Sequence, residues 1–398
     1  MENYSLAMDN QSGSQFSVLI VTGPFNDIAG EQNLSYLIET FRPLSSKIIA
    51  IAGRIPKGSN KKVKIIRLKS YKGGKSSLMF QILNHLLVET QICINMLRMS
   101  KDFDIVAFQI GARTYLLSTL LSKLLKKKVI AFSFTSSYRL AQIGKGQKLS
   151  TARRVALSLA SILERGVFLL ADQIAVESES VIGFSGLKCY KNKISVYGAQ
   201  YIDMELFGVR KELNERKNLI GYIGRFSREK GVINFVRAIP MIIKEKQDTE
   251  FFMGGGGELL DKILKEIKLK GLQDKVKLID AIPHEKVPGY LNEMKLLILP
   301  SYTEGIPGIV QEAMACGTPV LATPVGGIPD LIKDGETGFI MENNSPECIA
   351  KNVIRALEHP NLEQIVKNAR KLIEDEYSYE VMVRKCKIAL DKLMERKS

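Results

Sequence analysis

Two clusters in this sequence combine residue types that could do chemistry. The denser runs from Pro300 to Asp330, PSYTEGIPGIVQEAMACGTPVLATPVGGIPD. An apolar strand would end at Pro300 and a Gly/Pro turn would follow. The spacing then predicts a helix from near Pro307, whose ring is tolerated in a first helical turn. Glu304 lies before that helix and Glu312 lies within it. Free N–H groups around Gly308, Ile309 and Val310 would make the helix end an anion site. A carboxylate beside such an end repels phosphate but accepts hydroxyls, so two acids flanking it suit a ligand with hydroxyl-rich ends and a diphosphate middle. A nucleotide-sugar has that layout. As a capping acid and a surface-helix acid the two glutamates would be ordinary. Gly305, Gly308, Gly317, Gly326 and Gly327 have little purely helical purpose and favour a site.

The second cluster is Gly221 to Gly231, GYIGRFSREKG, directly after an apolar run. Arg225 and Lys230 would lie on a strand-to-helix turn, where two cations could neutralise a diphosphate by charge-assisted hydrogen bonds. Arg228, in the same loop, is expected to point outward as surface charge.

The elements that must hold these loops follow from hydrophobic patterning. In the first half, strands are expected at Phe16–Thr22, Lys47–Ala52, Lys62–Leu68, Asp104–Phe108 and Val129–Phe134, with short ones near Ala175 and Ile194. Helical spacing follows Gly30, fills Leu78–Arg98, continues to about Leu125, and returns as a basic amphipathic helix from about Leu149. The second half repeats the scheme, with strands at Leu219–Ile223, Glu250–Met253, Val276–Leu278, Leu296–Leu299, Pro319–Ala322 and Gly338–Ile340. Apolar runs separated by helices imply an α/β fold with doubly wound parallel sheets. Ligands then sit beyond the carboxyl ends of the strands. The expected organisation is two Rossmann-like domains facing each other across a cleft. Residues 1–207 would form the first and 208–377 the second, with Gly208–Asn218 as linker and a last helix at 378–398 packing back on the first domain.

Composition narrows the class. With 398 residues and 45% apolar content the chain is too long and too apolar for disorder. The apolar stretches at 78–97 and 153–171 are broken by Gln81, Asn84, His85 and Glu89, and by Glu164 and Arg165. Neither reads as a membrane span. The N-terminus lacks the basic start and apolar run of a signal peptide, so a cytoplasmic protein is expected. Five scattered cysteines fit reduced, packed thiols rather than a disulfide frame or zinc site.

The formal charge of +15 is uneven. Up to Phe207 there are 27 basic and 14 acidic residues, against 30 and 28 beyond it, so the excess belongs to the first half. Thr40 to Val88 has no acid and eleven basic residues, which would attract a polyanion if the patch is more than a solvated face.

The pair GRFSREKG and E-x7-E, followed by EAMACGTPVLATPVGGIPDLI, resembles the retaining GT-B glycosyltransferases of the "glycosyl transferases group 1" type. The likeness is strong from about Ile220 to Ile340 and weaker elsewhere. Asp203 and Phe207 resemble the end of the family's N-G-V-D-x-x-x-F segment, while Gln200 and Tyr201 depart from it. The resemblance implies a hexosyltransferase taking a nucleoside-diphosphate sugar, with no further cofactor and no metal. The acceptor would be a hydroxyl of a lipid-linked, glycolipid or polysaccharide molecule. Arg225, Lys230 and Glu304 would be the catalytic set, with the two cations on the diphosphate and the carboxylate on the donor-sugar hydroxyls. Donor binding would fall to Gly30, Gly224, Gly305, Ile306, Pro307, Gly308 and Ile309, with Ala281 and Ile282 at the base and Glu312 at the ribose. Gly254–Gly257 matches a Gly-rich loop beside the nucleotide. The family's histidine after the fifth strand is missing, replaced by Ser133, Phe134 and Thr135. His85 reads as a helix-face residue, His284 matches a common loop position and His359 would end a helix.

The first domain binds the acceptor in this family. Its basic character therefore points to an anionic acceptor or to the inner face of the cell membrane, with the amphipathic segment Lys148–Leu163 equally readable as interfacial or core-packed. Two rivals remain: a nucleotide-sugar 2-epimerase of the same fold, and a noncatalytic polyanion-binding protein. No motif specific to nucleic acid accompanies the charge.

Overall fold

The computed structural model describes residues 16–23, 28–53, 63–68, 78–109, 114–133, 151–198 and 200–395. The chain divides into two compact units. The first comprises Met1–Glu177, Ser185–Gln200 and Met382–Ser398; the second comprises Ser178–Phe184 and Tyr201–Val381.

The helices among the described residues are α1 (Ile28–Phe41), α2 (Leu78–Arg98), α3 (Leu116–Leu124), α4 (Thr151–Leu170), α5 (Glu179–Phe184), α6 (Val232–Glu245) and α7 (Leu260–Leu269). They continue with α8 (Val287–Glu293), α9 (Gly308–Ala315), α10 (Ile328–Leu331), α11 (Pro346–Leu357), α12 (Leu362–Tyr377) and α13 (Tyr379–Glu395).

The first unit holds β1 (Phe16–Val21), β2 (Ser45–Ala52), β3 (Val63–Arg67), β4 (Ile105–Phe108), β5 (Lys128–Ser133), β6 (Gln173–Val176) and β7 (Ile194–Val196). They pair in parallel in the order β3-β2-β1-β4-β5-β6-β7. Strands such as IVAF at 105–108 are buried along their whole length, which is why they read as unbroken apolar runs. On one face, Leu34, Ile38 and Phe41 of α1 and Cys386, Leu390 and Leu393 of α13 share a core cluster with Val18, Ile20 and Ile48. Right-handed crossovers put α2, α3 and α4 on the opposite face, where α3 packs against both neighbours.

The second unit holds β8 (Leu219–Ile223), β9 (Glu250–Gly254), β10 (Val276–Ile279), β11 (Leu296–Leu299), β12 (Val320–Ala322) and β13 (Phe339–Ile340). Their order is β10-β9-β8-β11-β12-β13, again parallel. The order reverses between β8 and β11, the switch point beside which open α/β sheets bind ligands.

Two boundary expectations change. The division falls at Gln200, not at Phe207, because the segment after it is tied into the second unit: Ile202 N–H donates to Tyr377 O at 2.9 Å, and the Phe207 ring lies 5.3 Å from that of His284. The expected linker, Gly208–Asn218, also belongs to that unit. Arg216 within it is 4% exposed and donates to the carbonyls of Lys211, Leu291, Met294 and Cys316 and to Thr318 Oγ1. A buried guanidinium satisfied by four carbonyls fastens a stretch that composition alone marks as loose.

Candidate functional site

The second unit gathers its polar residues where the strand order reverses. Lys230 ends the loop after β8 and Glu304 lies in the loop after β11. Lys230 Nζ donates to both carboxylate oxygens of Glu304 at 2.7 Å, and Ser301 Oγ donates to Oε1 at 2.6 Å. The side chains are 18% and 6% exposed, so this is a nearly buried, charge-assisted pair. An ammonium has three N–H bonds; with two on Glu304, one is left for a ligand.

Backbone fit fixes the loops that carry the pair. Gly231 adopts φ +65°, and a Cβ there would sit 2.0 Å from Pro300 O. Tyr302 N–H donates to Glu229 O at 2.8 Å, and Asn344 Nδ2 donates to Pro300 O at 2.9 Å. On the far side, a Cβ on Gly326 (φ +62°) would meet Glu304 O at 1.9 Å, and Gly327 N–H donates to Gly305 O at 2.8 Å. The paired glycines after β12 therefore admit the 304–306 turn. Thr303 Oγ1 and Ser178 Oγ, the latter beside Gly327, are buried without a hydrogen-bond partner among the described residues.

Arg225 differs from Lys230. Its side chain is 68% exposed and 3.5 Å from Glu229, while its carbonyl accepts from the buried Tyr222 phenol at 2.8 Å. Burial keeps that phenol protonated far above its ordinary range. Glu229 is burdened by burial, yet the Ser227 hydroxyl at 2.7 Å and the neighbouring cations hold its carboxyl below the usual value. Arg228 is 62% exposed and 3.8 Å from Glu258, outward as expected.

The Gly-rich loop after β9 meets both neighbours. Gly224 N–H donates to Gly254 O at 2.9 Å, and Phe226 N–H donates to Gly256 O at 2.8 Å. Ala281, after β10, is one of two non-glycine residues with positive φ among those described, at +37°. Side chains rarely sit there without over-determination by their surroundings. Ile282 packs where a Cβ on Gly254 would meet its Cδ1 at 2.3 Å.

Sequence reasoning missed the partner of Glu312. This residue of α9 is 6% exposed, and its Oε1 lies 2.8 Å from Nε2 of His284. The hydrogen bond to the Glu312 carboxylate raises the imidazole pKa against the desolvation that lowers it. Both acids of the E-x7-E spacing are thus paired with basic side chains, Glu304 with Lys230 and Glu312 with His284. The chain separations, 74 and 28 residues, hid both contacts from any local pattern.

Gly305, Ile306 and Pro307 form the turn into α9, with Pro307 as its N-cap and Gly308 and Ile309 in its first turn. Gly30 stands apart in the first unit, in the first turn of α1. Ser133 ends β5 with its hydroxyl buried, and Phe134 and Thr135 lie outside the described residues, as does Lys148.

Residues 204–372 match the family model described as glycosyl transferases group 1. The alpha-D-kanosaminyltransferase of Streptomyces kanamyceticus is 31% identical over 185 residues, 45% of this chain and 48% of that protein. The capsular polysaccharide biosynthesis glycosyltransferase CapM of Staphylococcus aureus is 27% identical over 60% of this chain and 66% of its own length. The matches thus span about half to two thirds of these curated relatives. Among solved structures, sucrose-phosphate synthase of Thermosynechococcus elongatus superposes with a TM-score of 0.74 at 17% identity, covering 95% of this chain and 99% of that one. Anabaena HepE, solved with UDP-glucose, gives 0.69 at 15% identity over 95% and 100%. At these identities the likeness is of fold: this chain has the fold of those two proteins.

Proposed function

We propose, from the match of residues 204–372 to the family model described as glycosyl transferases group 1, that the chain moves a hexosyl unit from a nucleoside-diphosphate sugar to an acceptor hydroxyl. The observation that carries this reading is the Lys230–Glu304 pair, held at the strand reversal just before the N-terminus of α9. A diphosphate offers Lys230 a stronger anion than one carboxylate. Its arrival draws the ammonium away and leaves Glu304 to accept from the sugar hydroxyls. Arg225, exposed in the same loop, would meet the same diphosphate.

The acceptor reading, a lipid-linked, glycolipid or polysaccharide hydroxyl, leans on the Staphylococcus aureus relative being named for capsular polysaccharide biosynthesis. Transfer with retention follows the family resemblance. Double displacement would need a carboxylate about 5 Å from its partner across the sugar, and the first unit offers no such acid in a recognisable motif. In same-face substitution the departing diphosphate oxygen takes the acceptor's proton. The protein then holds the substrates in register and stabilises charge on the leaving group. Arg225, Lys230 and the dipole of α9 supply that charge stabilisation without requiring a metal. Glu312 would meet the ribose with the oxygen that His284 does not take.

A thermal-shift screen against UDP, GDP, ADP and their sugars tests the donor, since ligands of the folded state raise its melting temperature. Glu304→Gln should keep nucleoside-diphosphate binding and lose sugar transfer; unchanged transfer would remove Glu304 from the sugar.

A further inference from the structure

The first unit carries a helical layer with its polarity reversed. α3 buries Ser118, Thr119 and Ser122 at 0% exposure and turns Leu117, Leu120 and Leu124 outward at 49%, 41% and 80%. The inverted packing is fully satisfied. Thr119 Oγ1 donates to Tyr115 O at 2.8 Å and Ser122 Oγ to Ser118 O at 2.7 Å, while Glu89 of α2 accepts the Ser118 N–H at 3.0 Å. Burial raises the Glu89 pKa, although the backbone donors it caps oppose that shift.

The neighbouring helices extend the same surface. α2 exposes Met79, Leu83, Leu86 and Leu97 along one stripe, and α4 exposes Val155, Leu159, Ile162 and Leu169 along another. Fourteen of the twenty exposed large apolar side chains among the described residues lie on these three mutually packed helices, so they form a patch rather than a scatter. Charge on the patch has one sign. Its two acids, Glu89 and Glu164, are 2% and 4% exposed, whereas Arg98, Arg154 and Arg165 are exposed.

We propose that the α2–α3–α4 face lies on an anionic lipid bilayer, with the leucine stripes entering the headgroup boundary and the arginines meeting the headgroups. Charge complementarity selects this occupant: a second copy would bring two basic faces together, whereas anionic lipid satisfies apolar and basic groups at once. Among the described residues no helix is long and apolar enough to cross a membrane, so the layer lies along the surface rather than spanning it. The inference does not rest on the donor chemistry of the second unit.

The test is flotation of the full chain with phosphatidylcholine vesicles, with and without phosphatidylglycerol, at low and high salt. Wild type should float with the anionic vesicles. The variant L83Q/L86Q/L120Q/L124Q, altered only at exposed positions, should lose about tenfold or more of the bound fraction. R98Q/R154Q/R165Q should lose the preference for anionic over neutral lipid. Both should keep the wild-type melting temperature and nucleoside-diphosphate thermal shift, which separates this proposal from the transfer reading. Failure of wild type to float at low salt, or equal flotation of the leucine variant, would overturn it. So would a solution dimer that the leucine variant dissociates without vesicle binding, because a second copy would then cover the face.

Discussion

Lys230→Met isolates what the paired geometry does for folding from what it does for transfer. Removing the ammonium leaves Glu304, 6% exposed, with Ser301 Oγ still donating to it at 2.6 Å. Removing one partner of a fully buried pair costs about 3–5 kcal/mol. With Lys230 18% exposed and Ser301 in place, about 2–3 kcal/mol is expected here. At about 2–4 °C per kcal/mol for a unit of this size, the melting temperature should fall by about 5–10 °C. Lys230→Met combined with Glu304→Gln removes the stranded charge, so most of that loss should return. Transfer should not return: losing a cation that stabilises the leaving diphosphate costs about a hundred- to a thousand-fold in turnover. Scanning calorimetry and a sugar-transfer assay on the four members of the cycle read both quantities. Wild-type transfer by Lys230→Met refutes the diphosphate role. A double variant as unstable as the single one refutes the pairing argument.

Arg225→Ala should leave the unfolding free energy within about 0.5 kcal/mol of wild type, since the side chain is 68% exposed, yet lower turnover. Arg228→Ala, in the same loop, should change neither; a transfer defect there would reassign the cation. His284 has a raised folded pKa, so its contribution to stability is complete below the ordinary value of 6.5 and is lost as pH rises through the folded value. The wild-type melting temperature should therefore decline above that pH, and His284→Asn should lose this slope. Gly326→Ala would drive a Cβ into Glu304 O at positive φ, costing about 1–3 kcal/mol and displacing the donor turn. Unchanged calorimetry for that variant would mean the turn relaxes freely.

Local pattern made the strand-loop-helix units legible. LLIL at 296–299, the PSYTEG turn after it and α9 follow from apolar runs, breakers and helical spacing. The pairing of Lys230 with Glu304 needs more, because it depends on β8 and β11 being neighbours although β9 and β10 lie between them in sequence. Glu312 and His284 meet although the strands before them, β11 and β10, are not neighbours in the sheet, so no local pattern joins them either. A family resemblance names the ligands these groups would meet, but not the partners they hold beforehand. Arg216 was hidden differently: a single arginine in a polar stretch gives no local sign that carbonyls from distant turns will bury it.

Hydrophobic periodicity also identifies a stripe without saying which way it faces. In α3 the stripe Leu117, Leu120, Leu124 would ordinarily be assigned to the core, yet Ser118, Thr119 and Ser122 occupy the inner face. The inversion is possible because each buried hydroxyl finds a carbonyl one turn back, or a neighbouring side chain, so polar burial costs little. In α4, spacing left core and interface equally open, and Val155, Leu159 and Ile162 are exposed. The charge excess of the first half then acquires a geometry. It is expressed not only by the lysine-rich run, most of which lies outside the described residues, but by arginines beside an outward apolar layer whose acids are buried. Basic residues alone would suit any polyanion; basic residues bordering exposed leucine suit a polyanion with an apolar interior, which a lipid bilayer has and a nucleic acid lacks.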